Sequence, residues 1–348
     1  MTTRIPTLSD VAKAAGVHSS TVSRVMNPST RGMVSDDVAK RILAEASRLG
    51  YRPNRAASTL RTRRSHVVGV VLPDITNAVF PPILMGIEEC LRKEGYLAIV
   101  ANVGSDADQQ RFVINRLLGQ QVDGLVFATA RRQDPLIREC LNRGVPVVTV
   151  NRSEESGLVS SIVNDEHYGM RLAVAHLAGL GHRDIAHLAG PDSLSTGHQR
   201  RLGFMDAIDA LNLDPARCSV VETPGYSREA GRAALLELLQ TAPATTAVVA
   251  GNDLVALGCY DALKAKGWRC PKDLSIIGHN DMPLMDLVDP PMTTIRIRHH
   301  EMGFESARLI LQAINSGVDS VVDIRLKPEL IVRSSTALPR SARGRRPR

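Results

Sequence analysis

Polar residues that could bind a small molecule follow several short apolar runs in the body of the chain. Asn151 and Arg152 come directly after one run, Asn252 and Asp253 follow another, and Asn280 ends a third. If these runs are parallel strands, the polar residues lie at their carboxyl ends, where open α/β sheets bind ligands. Amide, carboxylate and guanidinium groups at such an edge suit a polar ligand rather than an apolar one. The alternative is that each residue is an ordinary turn or helix cap.

A second candidate site lies near the N-terminus, on two predicted helices separated by a turn. Thr7 and Asp10 form a capping-box pattern, and Gly16 ends the first helix. Val22 and Val25 are spaced so that they face the interior from a second helix. The opposite face of that helix carries short polar or cationic side chains, namely Ser19, Ser20, Ser23 and Arg24. A helix with this surface fits the major groove of duplex DNA.

The N-terminal runs resemble a known DNA-binding headpiece. A third helix is predicted over 35–49, and LSDVAKAAGVHSSTVSRVMN at 8–27 with GYRPNRAASTL at 50–60 resembles the headpiece and hinge of the lac-repressor/galactose-repressor family. That resemblance implies an all-α helix-turn-helix headpiece over residues 1–50. It implies base contacts from the second helix, phosphate contacts beside it and minor-groove contacts from the hinge. The DNA-contacting residues implied in this way are Ser19, Ser20, Thr21, Ser23, Arg24, Asn27, Arg31, Asn54, Leu60 and Arg61.

Residues 51–65 are expected to form a hinge helix and a linker. Pro53 suits the first turn of a helix, but a helix over 54–60 is too short to be stable alone in water. We therefore expect it to order only on DNA, beside the hinge of a second subunit. Leu60 stands among arginines, which suits an apolar wedge in the minor groove. Packing of Leu60 on the core is the alternative.

From residue 66 onward, β-branched apolar runs alternate with helical patterns. Strands are predicted over 67–72, 97–103, 124–128, 145–150, 160–163, 184–189, 219–222, 247–250, 275–278 and 293–297. The alternation predicts an α/β fold of doubly wound parallel sheets, and so many strands fit two lobes better than one. We predict a ligand-binding and dimerisation core over 66–339, followed by a basic, disordered tail over 340–348. The predicted N-lobe spans about 66–164 and 293–323, and the predicted C-lobe spans about 165–292 and 324–339.

Several runs in the body also resemble landmarks of the same family, among them PDITNAVF at 73–80, GNDLVALG at 251–258 and PPMTTI at 290–295. The resemblance implies a two-lobed, periplasmic-binding-protein-like core that holds a small effector. The residues at ligand-contacting positions are then Val79, Phe80, Asn151, Arg152, Thr196, Arg200, Tyr226, Asp253 and Asn280. Arg200 is the foremost candidate, because a guanidinium fork suits a carboxylate or vicinal hydroxyls.

One departure from the family bears on the effector. Where many relatives have two consecutive acids, this chain has Asn280 in place of the first, which removes a negative charge from the cleft. Together with Arg152 and Arg200, this favours an acidic effector such as a sugar acid or another hydroxy-carboxylate, and a neutral sugar stays open. Leu194 stands where purine-binding relatives carry a basic residue, which argues against a purine.

Charge is distributed unevenly along the 348 residues. Residues 1–64 carry 12 Lys and Arg against 4 Asp and Glu, and the tail over 340–348 adds five arginines. The remainder is acidic, although the whole chain has a net charge of +7. A basic head on an acidic body is typical of a DNA-binding module joined to a separate domain. Aromatic residues make up only 3% of the chain, which argues against a binder of single strands.

Other functional classes fit the sequence less well. The chain has no Gly-rich phosphate loop, nucleophile elbow or metal-spaced His/Glu cluster, so we expect no enzyme, no cofactor and no metal. Five scattered cysteines and the lack of an apolar leader or span indicate a cytoplasmic protein, which disfavours a transport receptor. An architectural DNA protein would leave the polar strand ends unexplained. We expect a homodimer on near-palindromic double-stranded DNA. We favour release from DNA when the effector binds, and corepression, in which the effector tightens DNA binding, is the alternative.

Overall fold

The first of two compact units is a three-helix headpiece. The computed structural model describes residues 6–26, 30–52, 64–104, 106–316 and 320–340, and it divides into the units Met1–Ser65 and His66–Arg348. The helices of the first unit are α1 (Leu8–Ala14), α2 (Ser19–Met26) and α3 (Asp36–Leu49), with a 3₁₀ turn at Arg31–Met33. Val11, Val22 and Ile42 are fully buried at their centre.

Local sequence signals fix where these helices start and stop. The predicted capping box is confirmed: the Thr7 hydroxyl accepts from the Asp10 N–H at 3.3 Å, and the Asp10 carboxylate accepts from the Thr7 N–H at 2.8 Å. Gly16 has φ 63°, a left-handed conformation in which glycine avoids Cβ strain, and it turns the chain from α1 into α2. These two signals set the angle at which α2 leaves α1.

The second unit contains two six-stranded sheets with helices packed on them. The strands are β1 (Val67–Leu72), β2 (Leu97–Asn102), β3 (Gly124–Phe127), β4 (Val147–Val150), β5 (Ser160–Asn164), β6 (Ile185–Ala189), β7 (Cys218–Glu222), β8 (Ala247–Ala250), β9 (Ser275–Asn280), β10 (Thr293–Arg296), β11 (Asp323–Leu326) and β12 (Glu329–Ile331). The helices are α4 (Phe80–Lys93), α5 (Ala107–Gly119), α6 (Pro135–Asn142), α7 (Glu166–Gly179), α8 (Ser195–Ala210), α9 (Arg228–Thr241), α10 (Asp253–Ala265) and α11 (His299–Ser316), with a 3₁₀ turn at Pro215–Arg217. All ten predicted strands are present, and β11 and β12 are additional.

Both sheets have the doubly wound parallel topology that the alternation predicted. The first sheet has the order β11-β5-β4-β3-β1-β2 and is parallel throughout. The second has the order β12-β10-β9-β8-β6-β7 and is parallel except for β12, which runs antiparallel to β10 at the edge. Central strands such as β1, with the sequence VVGVVL, are buried on both faces, which explains their unbroken apolar runs.

The chain crosses between the two sheets three times, and the crossings correct the predicted lobe limits. It crosses after β5, after β10 and between β11 and β12. The predicted N-lobe wrongly included β10, which pairs with β9 of the second sheet. The predicted C-lobe wrongly took most of β11, which pairs with β5 of the first sheet. Strands this short carry no pattern that identifies their sheet.

Glycines allow the helices on each sheet to pack closely. α4 crosses α11 where Gly86 faces the backbone of His300 and Gly303 faces the backbone of Ile83. A Cβ on either glycine would lie well inside van der Waals distance of a backbone oxygen. α9 and α10 meet in the same way on the second sheet. These close helix crossings fix the positions of α4, α9 and α10, the helices that follow strand-end loops.

The C-terminal segment is ordered one residue further than predicted. The Arg340 guanidinium lies over the Trp268 ring at 5.1 Å and donates to the carbonyl of Pro243. The rest of the predicted tail, 341–348, lies outside the described residues. Within the described part of the chain, none of the helices has the length and apolarity needed to cross a membrane.

Candidate functional site

In the first unit, α2 presents a polar face opposite its buried valines. Val22 and Val25 pack into the headpiece core, which turns Ser20 and Arg24 outward, one helical turn apart. Ser19, Thr21 and Ser23 are partly buried beside them. The Ser20 hydroxyl lies 2.8 Å from Nδ1 of His18, which holds that side chain at the start of the helix.

Arg31, predicted to contact phosphate, is engaged within the headpiece. Its guanidinium donates to the carbonyl of Val34 and lies 2.8 Å from the exposed carboxylate of Asp36. An exposed ion pair is worth little in water, so a phosphate could replace Asp36 at small cost. The other predicted DNA-contacting residues, Asn27, Asn54, Leu60 and Arg61, lie outside the described residues, as does most of the predicted hinge.

In the second unit, a cavity of about 610 Å³ lies at the carboxyl ends of both sheets. The loops after β1 to β4 form one side, and the loops after β6 to β9 form the other. We call this cavity the cleft. Eight of the nine predicted ligand-contacting residues line it, namely Val79, Phe80, Asn151, Arg152, Thr196, Arg200, Tyr226 and Asn280.

Two asparagines at the cleft have left-handed backbone conformations. Asn151 has φ 65° and Asn280 has φ 110°, and each stands at the end of a strand. Such conformations cost about 1–3 kcal/mol outside glycine and persist where the surrounding structure enforces them. The Asn151 N–H donates to the carbonyl of Ile162 at 2.9 Å, which anchors one of the two turns. The chain therefore leaves a strand through a left-handed asparagine at the edge of the cleft on both sheets.

Arg200 forms a buried ion pair at the floor of the cleft. Its Nε and Nη2 donate to the two carboxylate oxygens of Glu166 at 2.7 and 2.9 Å, and Nη1 donates to the carbonyl of Gly251 at 2.5 Å. Burial opposes the charge on Arg200, but Glu166 offsets this and the pKa of Arg200 is raised. The prediction that Arg200 binds an effector carboxylate needs correction, because Glu166 already occupies its fork, whereas a contact between Arg200 and vicinal hydroxyl groups stays a prediction.

His279 lies beside that ion pair and is held neutral. Its Nε2 is 3.1 Å from the Glu166 carboxylate, out of alignment for a hydrogen bond. Complete burial and the nearby charge of Arg200 lower the pKa of His279 well below its usual range. The Glu166 carboxylate is therefore paired with Arg200 rather than with an imidazolium.

Tyr226 covers Arg200 on the cleft side. Its hydroxyl donates to the Thr196 hydroxyl at 3.0 Å, and its ring lies 5.9 Å from the Arg200 guanidinium carbon. Burial raises the pKa of Tyr226. A Cβ on Gly190 would overlap this ring, so the glycine after β6 leaves the space that the tyrosine fills. Tyr226 thus contributes an aromatic edge and a hydroxyl oxygen to the wall.

Arg152 differs from Arg200 in having no counter-charge. Among the described residues it makes no hydrogen bond or ion pair, and its Nε is sealed from solvent. Burial lowers the pKa of Arg152, and the positive charges of Arg200 and Arg131 lower it further, against an opposing effect of Tyr226. The cleft therefore contains one guanidinium that the protein leaves unsatisfied.

Comparison with protein families covers both units. The model for bacterial regulatory proteins of the lacI family matches residues 7–54. The model for periplasmic binding proteins and the sugar binding domain of the LacI family matches residues 65–333, which is more than half of the chain. The chain belongs to the LacI family. Members of this family are transcriptional regulators rather than enzymes, as the sequence predicted.

LacI-family relatives match over nearly their whole length. The HTH-type transcriptional regulator CelR of Thermobifida fusca is 35% identical over 95% of this chain and 98% of its own. The ribose operon repressor of Bacillus subtilis is 32% identical, with the same coverage. A CelR–cellobiose complex superimposes with a TM-score of 0.72 at 32% identity, over 95% of this chain and 99% of that one. The lac repressor dimer bound to operator and the anti-inducer ONPF superimposes with a TM-score of 0.84 at 28% identity, over 96% and 100%.

Asp253 is the one predicted ligand-contacting residue of this LacI-family chain that does not line the cleft. It is fully buried, and its two carboxylate oxygens accept from the Thr294 hydroxyl at 2.6 Å and the Met282 N–H at 2.7 Å. Burial raises the pKa of Asp253 to about 7. Its neighbour Asn252 lines the cleft instead and caps α10 by accepting from the Val255 N–H.

Sequence reasoning missed several residues of this LacI-family cleft. Gln110, Thr129, Arg131 and Ser193 all line it. Most lie one to five residues after a strand, so extending the strand-end search would have found them. Glu166 had no such signal, because an acid in the first turn of a helix is also explained by the helix dipole. No cluster of metal-binding side chains occurs within the described ranges.

Proposed function

We propose that this LacI-family chain is a sequence-specific, homodimeric transcriptional repressor. In this proposal a small polar effector, a sugar, a sugar acid or a hydroxy-carboxylate, controls its affinity for a near-palindromic operator. The observation that carries the proposal is the outward face of α2, where Ser20 and Arg24 stand on a helix braced by Val22 and Val25. Short polar groups at the start of such a helix, with one guanidinium a turn further on, suit base edges in the major groove.

The effector part of the proposal rests on the cleft. Its wall combines amide, hydroxyl and guanidinium groups from both sheets, which suits a ligand rich in hydroxyl groups. Relatives carry names that point the same way, since one is a ribose operon repressor and another was solved with cellobiose. We infer that the effector weakens operator binding, and that the protein acts in the cytoplasm, where its operator would be.

The dimer part rests on an exposed apolar edge. β2 is an edge strand of the first sheet with the sequence LAIVAN, and Leu97, Ile99 and Val100 are exposed on it. A long apolar edge without cover invites pairing with another chain. A second subunit would bury this strand and hold two copies of α2 at a fixed spacing. The lac repressor, which superimposes on this chain, was solved as a dimer on operator.

Replacement of Arg24 tests the DNA-binding assignment. Arg24→Ala should weaken binding to the selected operator by about 10- to 100-fold, because a guanidinium fork on a guanine is worth about 1–3 kcal/mol. Fluorescence anisotropy with operator and with scrambled duplex measures both affinities, after the operator has been selected from random DNA. Arg92→Ala, which removes an exposed charge from α4, is the matched control and should bind as the unmodified protein does. Equal affinity of Arg24→Ala and the control would contradict the assignment.

A further inference from the structure

Arg152 is a partly buried cation that no acid among the described residues neutralises. It follows the left-handed Asn151 at the end of β4, so the turn holds the side chain at the cleft wall. Its Nε is shut off from solvent, and no acceptor among the described residues bonds to any of its guanidinium nitrogens. The protein supplies Arg152 with no counter-charge, so an anionic ligand in the cleft can complete it.

The charges that line this cleft sum to a positive value. Glu166 is bound bidentately by Arg200, so this ion pair contributes no net charge. Asp74 also lines the cleft and keeps its negative charge, because its Oδ1 accepts from the uncharged N–H and hydroxyl of Thr76 at 2.9 and 2.6 Å. Arg131 and Arg152 line the cleft as well, so the positive charges exceed the negative charge of Asp74.

We propose that the effector is a polyhydroxylated carboxylate, and that Arg152 binds its carboxylate group. This inference rests on the proposed function, in which the cleft holds the effector. A carboxylate matches the planar guanidinium fork with two parallel hydrogen bonds and supplies the missing negative charge. The hydroxyl and amide groups of Thr129 and Asn151 on the same side of the cleft, and the hydroxyl group of Ser193 on the other side, suit the hydroxyl groups of an aldonate or a uronate. Arg200 is then a positioning residue that supports Tyr226 from behind.

Thermal unfolding of the full-length protein at constant ionic strength tests the proposal. D-gluconate and D-glucuronate are compared with the neutral D-sorbitol and D-glucose, and with glucose 6-phosphate. At least one of the two carboxylates should raise Tm by several degrees, the neutral compounds should leave it unchanged, and the pair of carboxylates distinguishes an aldonate from a uronate. Stabilisation by the phosphate ester alone, or by the neutral compounds alone, would overturn the carboxylate assignment, as would no stabilisation by either carboxylate.

Variants at Arg152 give a second readout. Arg152→Met removes the unpaired charge, so without any added carboxylate it should unfold about 2–4 °C above the unmodified protein and should lose its response to the carboxylates. Arg152→Lys keeps the charge but not the fork, and should bind the active carboxylate at least about 10-fold more weakly. Arg201→Met removes an exposed charge from the next position after Arg200 and should respond normally. An unchanged carboxylate response in both Arg152 variants would overturn the proposal.

Operator binding by the same proteins distinguishes a failure of the carboxylate assignment from a failure of the proposed repressor function. If the unmodified protein binds operator and is released by a neutral sugar but by neither carboxylate, the carboxylate assignment is wrong and the proposed repressor function is retained. If no duplex is bound specifically, the proposed function itself fails. Release of operator by gluconate or glucuronate in the unmodified protein, but not in Arg152→Met, supports both.

Discussion

The buried ion pair between Arg200 and Glu166 allows a quantitative test of how the floor of the cleft is held together. The two side chains are only 3% and 5% exposed, and both carboxylate oxygens are used. Glu166→Gln removes the negative charge but keeps one oxygen that can accept from Nε. Loss of one partner from a buried pair costs about 3–5 kcal/mol, since the other charge is left without compensation. We expect the lower end, about 3 kcal/mol, because the Gly251 carbonyl still accepts from Nη1.

Urea unfolding of a double-mutant cycle measures this coupling. Arg200→Met and Glu166→Gln should each destabilise the second unit, and the double variant should be less destabilised than their sum by about 2 kcal/mol or more. In Arg200→Met the lost cation no longer opposes protonation of His279, and Glu166 is left unpaired 3.1 Å away. The pKa of His279 should therefore rise in that variant, which an NMR titration of its ring protons would detect.

A matched control tests whether burial is the cause. Arg217 donates to both carboxylate oxygens of Asp184 at 2.9 and 2.6 Å, in the same bidentate geometry but exposed to solvent. Arg217→Met should change the unfolding free energy little, because exposed pairs are screened by water. The reasoning would be refuted if Glu166→Gln cost less than about 1 kcal/mol, or if the two single variants were additive.

Two further predictions concern packing and pH. Gly303→Ala should destabilise the second unit by about 2 kcal/mol or more in the same urea assay, because the new methyl group meets the backbone oxygen of Ile83. Gly119→Ala is the control. Its methyl group enters open space at the end of α5, so this variant should be neutral or stabilising. Burial lowers the pKa of His187 and of His299 to about 4, below the unfolded value of about 6.5. Each of these histidines therefore takes up a proton more readily in the unfolded chain, and should lower the unfolding free energy by up to about 3 kcal/mol as pH drops from about 6.5 to 4. Asp253 acts in the opposite direction, because its pKa is raised to about 7 and it takes up a proton more readily in the folded chain. Replacing both histidines by glutamine should therefore reduce the loss of stability between pH 7 and 5, and an unchanged pH profile in that variant would contradict this.

Local signals in the sequence were sufficient for most of the fold. Thr7 with Asp10 and Gly16 set the ends of the first helix through contacts within a few residues, and these formed as predicted. The buried parallel strands were visible because both faces are covered, which requires an unbroken apolar run such as that of β1. Their order in the sheets then follows from doubly wound connectivity.

Residues whose partners are distant in sequence could not be assigned in this way. Asp253 follows a strand, like Asn151 and Asn280, yet it bonds to Met282 and Thr294 and turns away from the cleft. Nothing within a few residues of Asp253 distinguishes it from a ligand-binding side chain. β11 and β12 were missed for a related reason: DIRL and ELI are short, partly exposed edge strands whose pairing partners lie far back in the chain.

The pairing of Glu166 with Arg200 changes which arginine can discriminate between effectors. From sequence, Arg152 follows a strand and Arg200 falls in a predicted helix, and Arg200 is the foremost candidate of the two. In the folded chain α7 brings a carboxylate against Arg200, so a ligand would have to displace Glu166 to use that fork. Arg152 stands on the first sheet, whereas Tyr226 and Asn252 stand on the second. A ligand shifts the angle between lobes only through contacts that differ between the two arrangements. An effector that contacts Arg152 at one end and Tyr226 or Asn252 at the other makes contacts that depend on the angle between the lobes. An effector that contacts Arg152 alone does not.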